Sequence, residues 1–287
     1  MKKICLLLLI LLFSFFYFGC SFGYQQFFGR KTDVRDRAKN IKELSDSDTP
    51  SVIKTQEKYS VLLINDIHFG RINPETDPQD LYDFLDSLIA SGESLPAFIA
   101  ANGDITHHGI QSEYDAYNSF LTEVKTKYGI QVYSNIGNHD CFNDGSEIFL
   151  SDVFPYSSYY VFSSPKTSFY FLDTGNGTLG SPQLFDLEKR MKENTKEKIV
   201  FTHYFFMIDK LSLSAMTNTK ERAILLDLFN ESHVRFIGTA HSHQFNVHDY
   251  GNFIEVCNND YGKHRAIIML YIDESLEKIS VTYKKIN

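Results

Sequence analysis

Five short runs in this chain of 287 residues carry side chains that bind metals and move protons. They are Asp66-Ile67-His68, Asn102-Gly103-Asp104, Gly137-Asn138-His139-Asp140, Thr202-His203 and Ala240-His241-Ser242-His243. Each has an ordinary reading when taken alone. Asp-x-His is common, Gly-Asp often forms a turn or a helix cap, and Asn-His-Asp can bond its own backbone. Two histidines on a strand are unremarkable. The joint pattern carries the weight, because every run follows directly on an apolar stretch. Carboxylate, amide and imidazole suit Mn, Fe or Zn, and the absence of thiolate argues against a Cys-type zinc site.

The apolar stretches are the elements that must position these residues. Val61–Ile64, Ala97–Ala100, Ile130–Ile136, Ile199–Phe201 and Val234–Ile237 read as buried strands. Leu81, Phe84, Leu85, Leu88 and Ile89 fall at helical spacing, as do Tyr114, Tyr117, Leu121 and Val124 before Gly129. Tyr159–Ser163 and Ser168–Asp173 are β-rich, and a helix with Pro182 in its first turn runs to about Asn194. Thr219–Phe229 reads as a helix, and Phe253–Val256, Ala266–Ile272 and Lys278–Tyr283 as strands. The early βαβαβ order implies parallel pairing and the hairpin-like tail antiparallel pairing. The expected fold class is α/β, with two facing mixed β-sheets flanked by helices. In such sheets, sites form beyond the carboxyl ends of strands, where all five runs lie. On an extended or turning segment, alternate residues of Asp-x-His and His-x-His would point the same way.

In this order the runs resemble the calcineurin-like metallophosphoesterases, whose pattern is D-x-H, G-D, G-N-H-D/E, a single H, then G-H-x-H. The resemblance covers the chain from about Tyr59 onward. Ala240 stands where the last glycine is usual, which leaves the loop shape open because a positive φ there would strain alanine. The resemblance implies two divalent transition metal ions. Asp66, His68, Asp104 and His243 would hold one; Asp104, Asn138, His203 and His241 would hold the other, with Asp104 shared. Ions ~3.5–4 Å apart activate a bridging hydroxide and clamp both reacting oxygens of a phosphate. His139 would be the non-ligand residue that stabilises the transition state or protonates the leaving oxygen, oriented by Asp140. The implied activity is metal-dependent hydrolysis of phosphoric esters. The stretch Gly103–Gly109, followed by Glu113-Tyr114, is similar to the branch containing bacterial cyclic-nucleotide phosphodiesterases. Monoester and diester both stay open, as do a nuclease of the same family and a non-catalytic metal-binding surface lipoprotein. A non-ligand histidine between Asn138 and Asp140 favours the enzyme.

Other residues carry less. His107 and His108 either line the substrate pocket or face solvent, and His233, His248 and His264 read as surface residues. Asn102 is placed to bond a neighbouring loop, and Asn258, Asn259 and Asp260 lie within reach of the pocket. Phe205–Thr219, between two of the runs, reads as a substrate-shaping loop. A net charge of −8 argues against a general grip on nucleic acid, so the expected substrate is a small-molecule or lipid phosphoester.

The N-terminus reads separately. Lys2 and Lys3 precede an apolar run from Ile4 to Phe18, and Gly19-Cys20-Ser21 follow. Residues 1–19 have the layout of a signal peptide or anchor, with Cys20 at a lipoprotein-type junction although Phe16, Tyr17 and Phe18 are bulky for it. A span from Ile4 to Phe22 is just long enough to cross a bilayer. The lipoprotein reading leads, ahead of an anchor and of free secretion; all three put the body outside the cytosol or tether it to a membrane, with a lipoprotein at the periplasm or cell surface. Residues 20–57 read as a flexible tether, with a short helix around Val34–Leu44, and residues 58–287 as the catalytic domain. Cys141 and Cys257 read as two thiols that one bridge could join.

Overall fold

A computed structural model describes residues 33–39, 41–72, 75–154, 157–207 and 215–286. The signal or anchor segment and Cys20 lie outside the described residues. Residues 33–57 depart from the expected tether, because they pack against the body. Asp33 caps α1 (Val34–Arg37) by accepting from Arg35 N. Val34 and Ala38 are buried. β1 (Lys42–Glu43) pairs in parallel with Tyr160 and Val161. Ile53, in α2 (Val52–Thr55), is fully buried in the main core. Arg37 forms a buried, two-pronged ion pair with Asp173, at 2.7 and 2.9 Å. Breaking such a pair from one side leaves an uncompensated charge, at a typical cost of ~3–5 kcal/mol. The segment is therefore part of the domain. Its few apolar residues show neither helical nor strand period, and its main anchor is an ion pair across 136 positions.

From Lys58 the expected alternation appears. β2 (Lys58–Ile64), α3 (Gln79–Ser91), β3 (Phe98–Asn102), α4 (Gln111–Tyr128) and β4 (Gln131–Asn135) form the βαβαβ unit, with parallel pairing throughout. Gly92 and Gly129 end the two helices in left-handed caps. A short α5 (Gly145–Ile148) leads to β5 (Tyr160–Ser163), which pairs antiparallel with β6 (Thr167–Phe171). Then come α6 (Ser181–Glu193), β7 (Glu197–Phe201), α7 (Thr219–Glu231) and β8 (Val234–Thr239). The tail holds β9 (Asn246–Asp249), β10 (Ile254–Cys257), α8 (Tyr261–His264), β11 (Ala266–Asp273) and β12 (Lys278–Lys285). One sheet has the order β1-β5-β6-β7-β8-β10-β9 and the other β12-β11-β2-β3-β4. Both mix parallel and antiparallel neighbours.

The sheets meet through aromatic side chains. Phe98 of β3 lies edge-on to Phe162 of β5 at 5.3 Å and to Phe169 of β6 at 5.2 Å. In β7, Ile199 and Phe201 enter this core. Val200 faces the opposite side with Leu187 and Met191 of α6 and Leu225 and Leu228 of α7. This alternation is the period of a strand covered on both faces. The five runs follow β2, β3, β4, β7 and β8, so the sandwich brings them to one edge.

Cys141 and Cys257 are both buried free thiols. Burial pushes each up to about 12, which leaves them protonated and inert.

Candidate metal centre

The loops that carry the runs are held by backbone bonds between sheet ends. Asp66 N donates to Gly103 O at 3.1 Å, and His68 N to Asp104 O at 2.9 Å. Asp66 and His68 converge through a turning segment, the second of the two forms expected of Asp-x-His. Both sit in the left-handed region, with φ of 48° and 55°, as do Asp104 (48°), His241 (71°) and His243 (54°). Non-glycine residues there store on the order of 1–3 kcal/mol each. Ala240 is not among them. It replaces glycine without strain, and its N–H donates to His203 O at 2.9 Å. Two other glycines are required by close approach. A Cβ on Gly103 would lie 2.7 Å from His203 Nδ1, and one on Gly137 would lie 2.3 Å from Asp104 Oδ1.

The side chains gather into two groups with ligand atoms close together: Asp66, His68, Asp104 and His243, and Asp104, His203 and His241. Asp104 belongs to both. Asn138 joins the second, with Oδ1 3.1 Å from His203 Nε2. All seven expected ligand positions thus meet at one place. The electrostatics describe a buried centre in which carboxylates and imidazoles hold each other's charge. Burial works to raise Asp66 and Asp104, yet His243 holds the first well below the carboxylate range and His203 and His139 hold the second there. Burial opposes charge on His203 and His243, but Asp104 raises the first to about 9 and Asp66 raises the second to about 9. Burial prevails at His68 and His241, pushed down to about 3 and about 4.

Two atoms test whether divalent ions fit. His68 Nε2 is buried without a hydrogen-bond partner, 3.8 Å from Asp104 Oδ2. Asp66 Oδ1 is likewise orphaned, 3.3 Å from His243 Nε2 without hydrogen-bond geometry. Each such orphan costs about 1–3 kcal/mol, and both point into the first group. A cation would satisfy both, and the mixed oxygen and nitrogen donors suit Mn, Fe or Zn.

Residues 59–245 match the calcineurin-like phosphoesterase family. This chain belongs to that family. Among curated sequences it is similar to a probable cyclic nucleotide phosphodiesterase of Xenorhabdus bovienii, 26% identical over 67% of this chain and 81% of that protein. Among solved structures it shares its fold with a dimetal phosphatase from Danio rerio. That likeness has a TM-score of 0.58 at 15% identity and covers 79% of this chain and 96% of the other. It also shares the fold with a purple acid phosphatase from yellow lupin, Lupinus luteus. There the TM-score is 0.52 at 12% identity, over 82% of this chain and 55% of that one. The family makes this chain a metallophosphoesterase with candidate Asp and His ligands in place.

Asp140 does not orient His139. Its buried carboxylate accepts from Gly137 N (2.8 Å), Ile105 N (3.2 Å), Thr106 N (2.9 Å) and Thr106 Oγ1 (2.9 Å). It staples the loop after β4 to the loop after β3. Burial, reinforced by the charge of Asp104, pushes it up to about 6. His139 is oriented instead by a backbone carbonyl: its Nδ1 lies 2.7 Å from His107 O. His107 stacks on His139 with ring centroids 5.3 Å apart, so it lines the site, whereas His108 turns to Glu113 at 2.7 Å. Asn102 bonds a neighbouring strand end, donating to Gly238 O at 2.8 Å, and its own carbonyl lies 2.9 Å from His203 Nδ1. His233 and His248 are exposed, as expected. His264 is partly exposed, and its ring meets Asp260. Asp260 reaches the site, 3.6 Å from His243 Nδ1, although no spacing rule links the Asn258–Asp260 run to the ligand motifs. Of Phe205–Thr219, residues 208–214 lie outside the described residues. The flanks meet, Met216 N donating to Phe205 O at 2.9 Å.

Proposed function

We propose that this chain hydrolyses phosphodiesters at a dinuclear centre held by Asp66, His68, Asp104, Asn138, His203, His241 and His243. The observation that carries the reading is Asp104, a buried carboxylate common to two ligand groups, beside the orphaned atoms of Asp66 and His68. Bound there, two divalent ions supply Lewis acidity toward a phosphate and a hydroxide nucleophile at neutral pH. The protein's own residues do the rest. Asp104 fixes the spacing of the two groups and accepts from His139 N at 2.8 Å, which locks the catalytic loop to the ligand frame. His107 O fixes the proton of His139 on Nδ1, leaving Nε2 as the nitrogen that exchanges a proton with the leaving oxygen. The similarity to a probable cyclic nucleotide phosphodiesterase favours diesters.

The full chain, loaded with Mn²⁺, is the material for the test. Bis-p-nitrophenyl phosphate and p-nitrophenyl phosphate are assayed side by side. The diester is expected to give the higher kcat/KM by ~10-fold or more, on the order of 1.4 kcal/mol of transition-state discrimination. Equal or reversed rates would make the substrate a monoester.

The basic, apolar and Gly-Cys-Ser order of residues 2–21 also supports export with a lipid on Cys20, or an anchor at the same place. The full chain is then expected in the detergent phase on partitioning. Cys20→Ser moves it to water if a lipid holds it, and leaves it in place if the apolar run does.

A further inference from the structure

Asp260 follows β10 and immediately precedes α8, and its carboxylate is fully buried. A buried carboxylate needs donors or cations around it. Oδ2 lies 3.1 Å from Arg71 Nη1 and 3.6 Å from His243 Nδ1, and Oδ1 meets His264 Nδ1. The turn that carries Asp260 is bonded to the first ligand run. Tyr261 N donates to Asn65 O at 2.8 Å, and Gly262 N to Asp66 O at 3.2 Å. Arg71 is tied to the same run through its N–H, which donates to His68 O at 3.0 Å.

The two ring nitrogens of His243 therefore face different things. Nε2 faces Asp66 Oδ1 at 3.3 Å, inside the group that includes His68 and Asp104. Nδ1 faces Asp260 at an ion-pair distance of 3.6 Å. A neutral imidazole binds a cation through one nitrogen when the other carries the proton, and a carboxylate beside that second nitrogen keeps it there. His203 meets the same requirement differently, through the backbone carbonyl of Asn102.

We propose that Asp260 is a positioning residue for one of the two ions. It holds the His243 proton on Nδ1 and turns Nε2 toward Asp66 and His68, while Arg71 and His264 satisfy its remaining lone pairs. This rests on the dinuclear reading above. Its consequence is asymmetric: losing Asp260 weakens the ion at Asp66, His68 and His243 and spares the ion at His203 and His241.

The test strips the full chain with a chelator and titrates it with Mn²⁺. Bound ions are counted by paramagnetic resonance, where a coupled pair and a lone ion give different spectra. Wild type is expected to bind two. Asp260→Asn is expected to lose ~10–100-fold in affinity for one ion only, replacing the coupled spectrum with that of a lone ion. Asp260→Glu, which restores a carboxylate, should regain part of the loss. In a His243→Ala background, Asp260→Asn should add almost nothing, because its route is already cut. Melting temperatures of the metal-free variants check that the fold survives. Two ions bound by Asp260→Asn with wild-type affinity would overturn the inference and leave the dinuclear reading intact. So would equal weakening of both ions, or a full additional loss in the His243→Ala background. Fewer than two ions in wild type would sink the dinuclear reading, and this inference with it.

Discussion

Asp104→Asn is expected to abolish metal binding and turnover together. Asp104 is the residue common to both ligand groups, and almost none of it is exposed. Its Oδ1 lies 3.4 Å from His203 Nε2 and accepts from His139 N, while Oδ2 lies 3.8 Å from His68 Nε2. Asparagine keeps the shape but removes the negative charge, and its NH₂ must face either the His139 N–H and His203 or, on the other side, His68. The loss in affinity should exceed the ~10–100-fold that follows from removing an outer-sphere hydrogen-bond partner of a metal ligand. Ion counting and bis-p-nitrophenyl phosphate hydrolysis check it on the same sample. A variant that stays fully loaded and active would remove Asp104 from the centre.

His139→Ala is expected to separate the two properties. Both ions should stay, and turnover should fall by ~10²–10⁴-fold, the usual worth of a positioned acid–base group. The imidazole stacks on His107 and lies edge-on to His68 at 4.6 Å, and its Nδ1 is engaged by His107 O. Proton donation from Nε2 matters most when the leaving oxygen is a poor one. The loss should therefore be larger for a methyl p-nitrophenyl ester cleaved at its alkyl side, or for a cyclic nucleotide, than for bis-p-nitrophenyl phosphate. His68, His107 and His139 also bring their nitrogens together. Losing one ion along with His139 would make this residue a ligand and not an acid.

Much of this centre was legible because its ligands follow apolar strand runs in one order. An apolar run predicts a buried strand, and the sandwich brings strand ends together, so Asp66, Asp104, Asn138, His203 and His241 could be placed without coordinates. Asp66 and His68 converge through left-handed, turning backbone, which the Asp-x-His spacing allows but does not single out from an extended form. Long-range polar contacts were not legible. Asp140 neighbours His139 in sequence, which suggested an orienting role, but its lone pairs are taken by amides 34 and 35 positions away. Asp260 reaches His243 and Arg71 only because α8 folds back onto the loop after β2. Arg37 meets Asp173 across the sheet edge, so residues 33–57 read as a tether when they are part of the domain. Periodicity reports burial of apolar faces, and it is silent about single buried ion pairs.

One titration decides whether this chain is a dinuclear metal phosphoesterase. The chelator-stripped full chain is given Mn²⁺ in known equivalents, with bound ions and bis-p-nitrophenyl phosphate hydrolysis followed together. Two ions per chain are expected, with activity rising as the second is filled. Full hydrolysis at one ion per chain, or hydrolysis that survives exhaustive chelation, would contradict it.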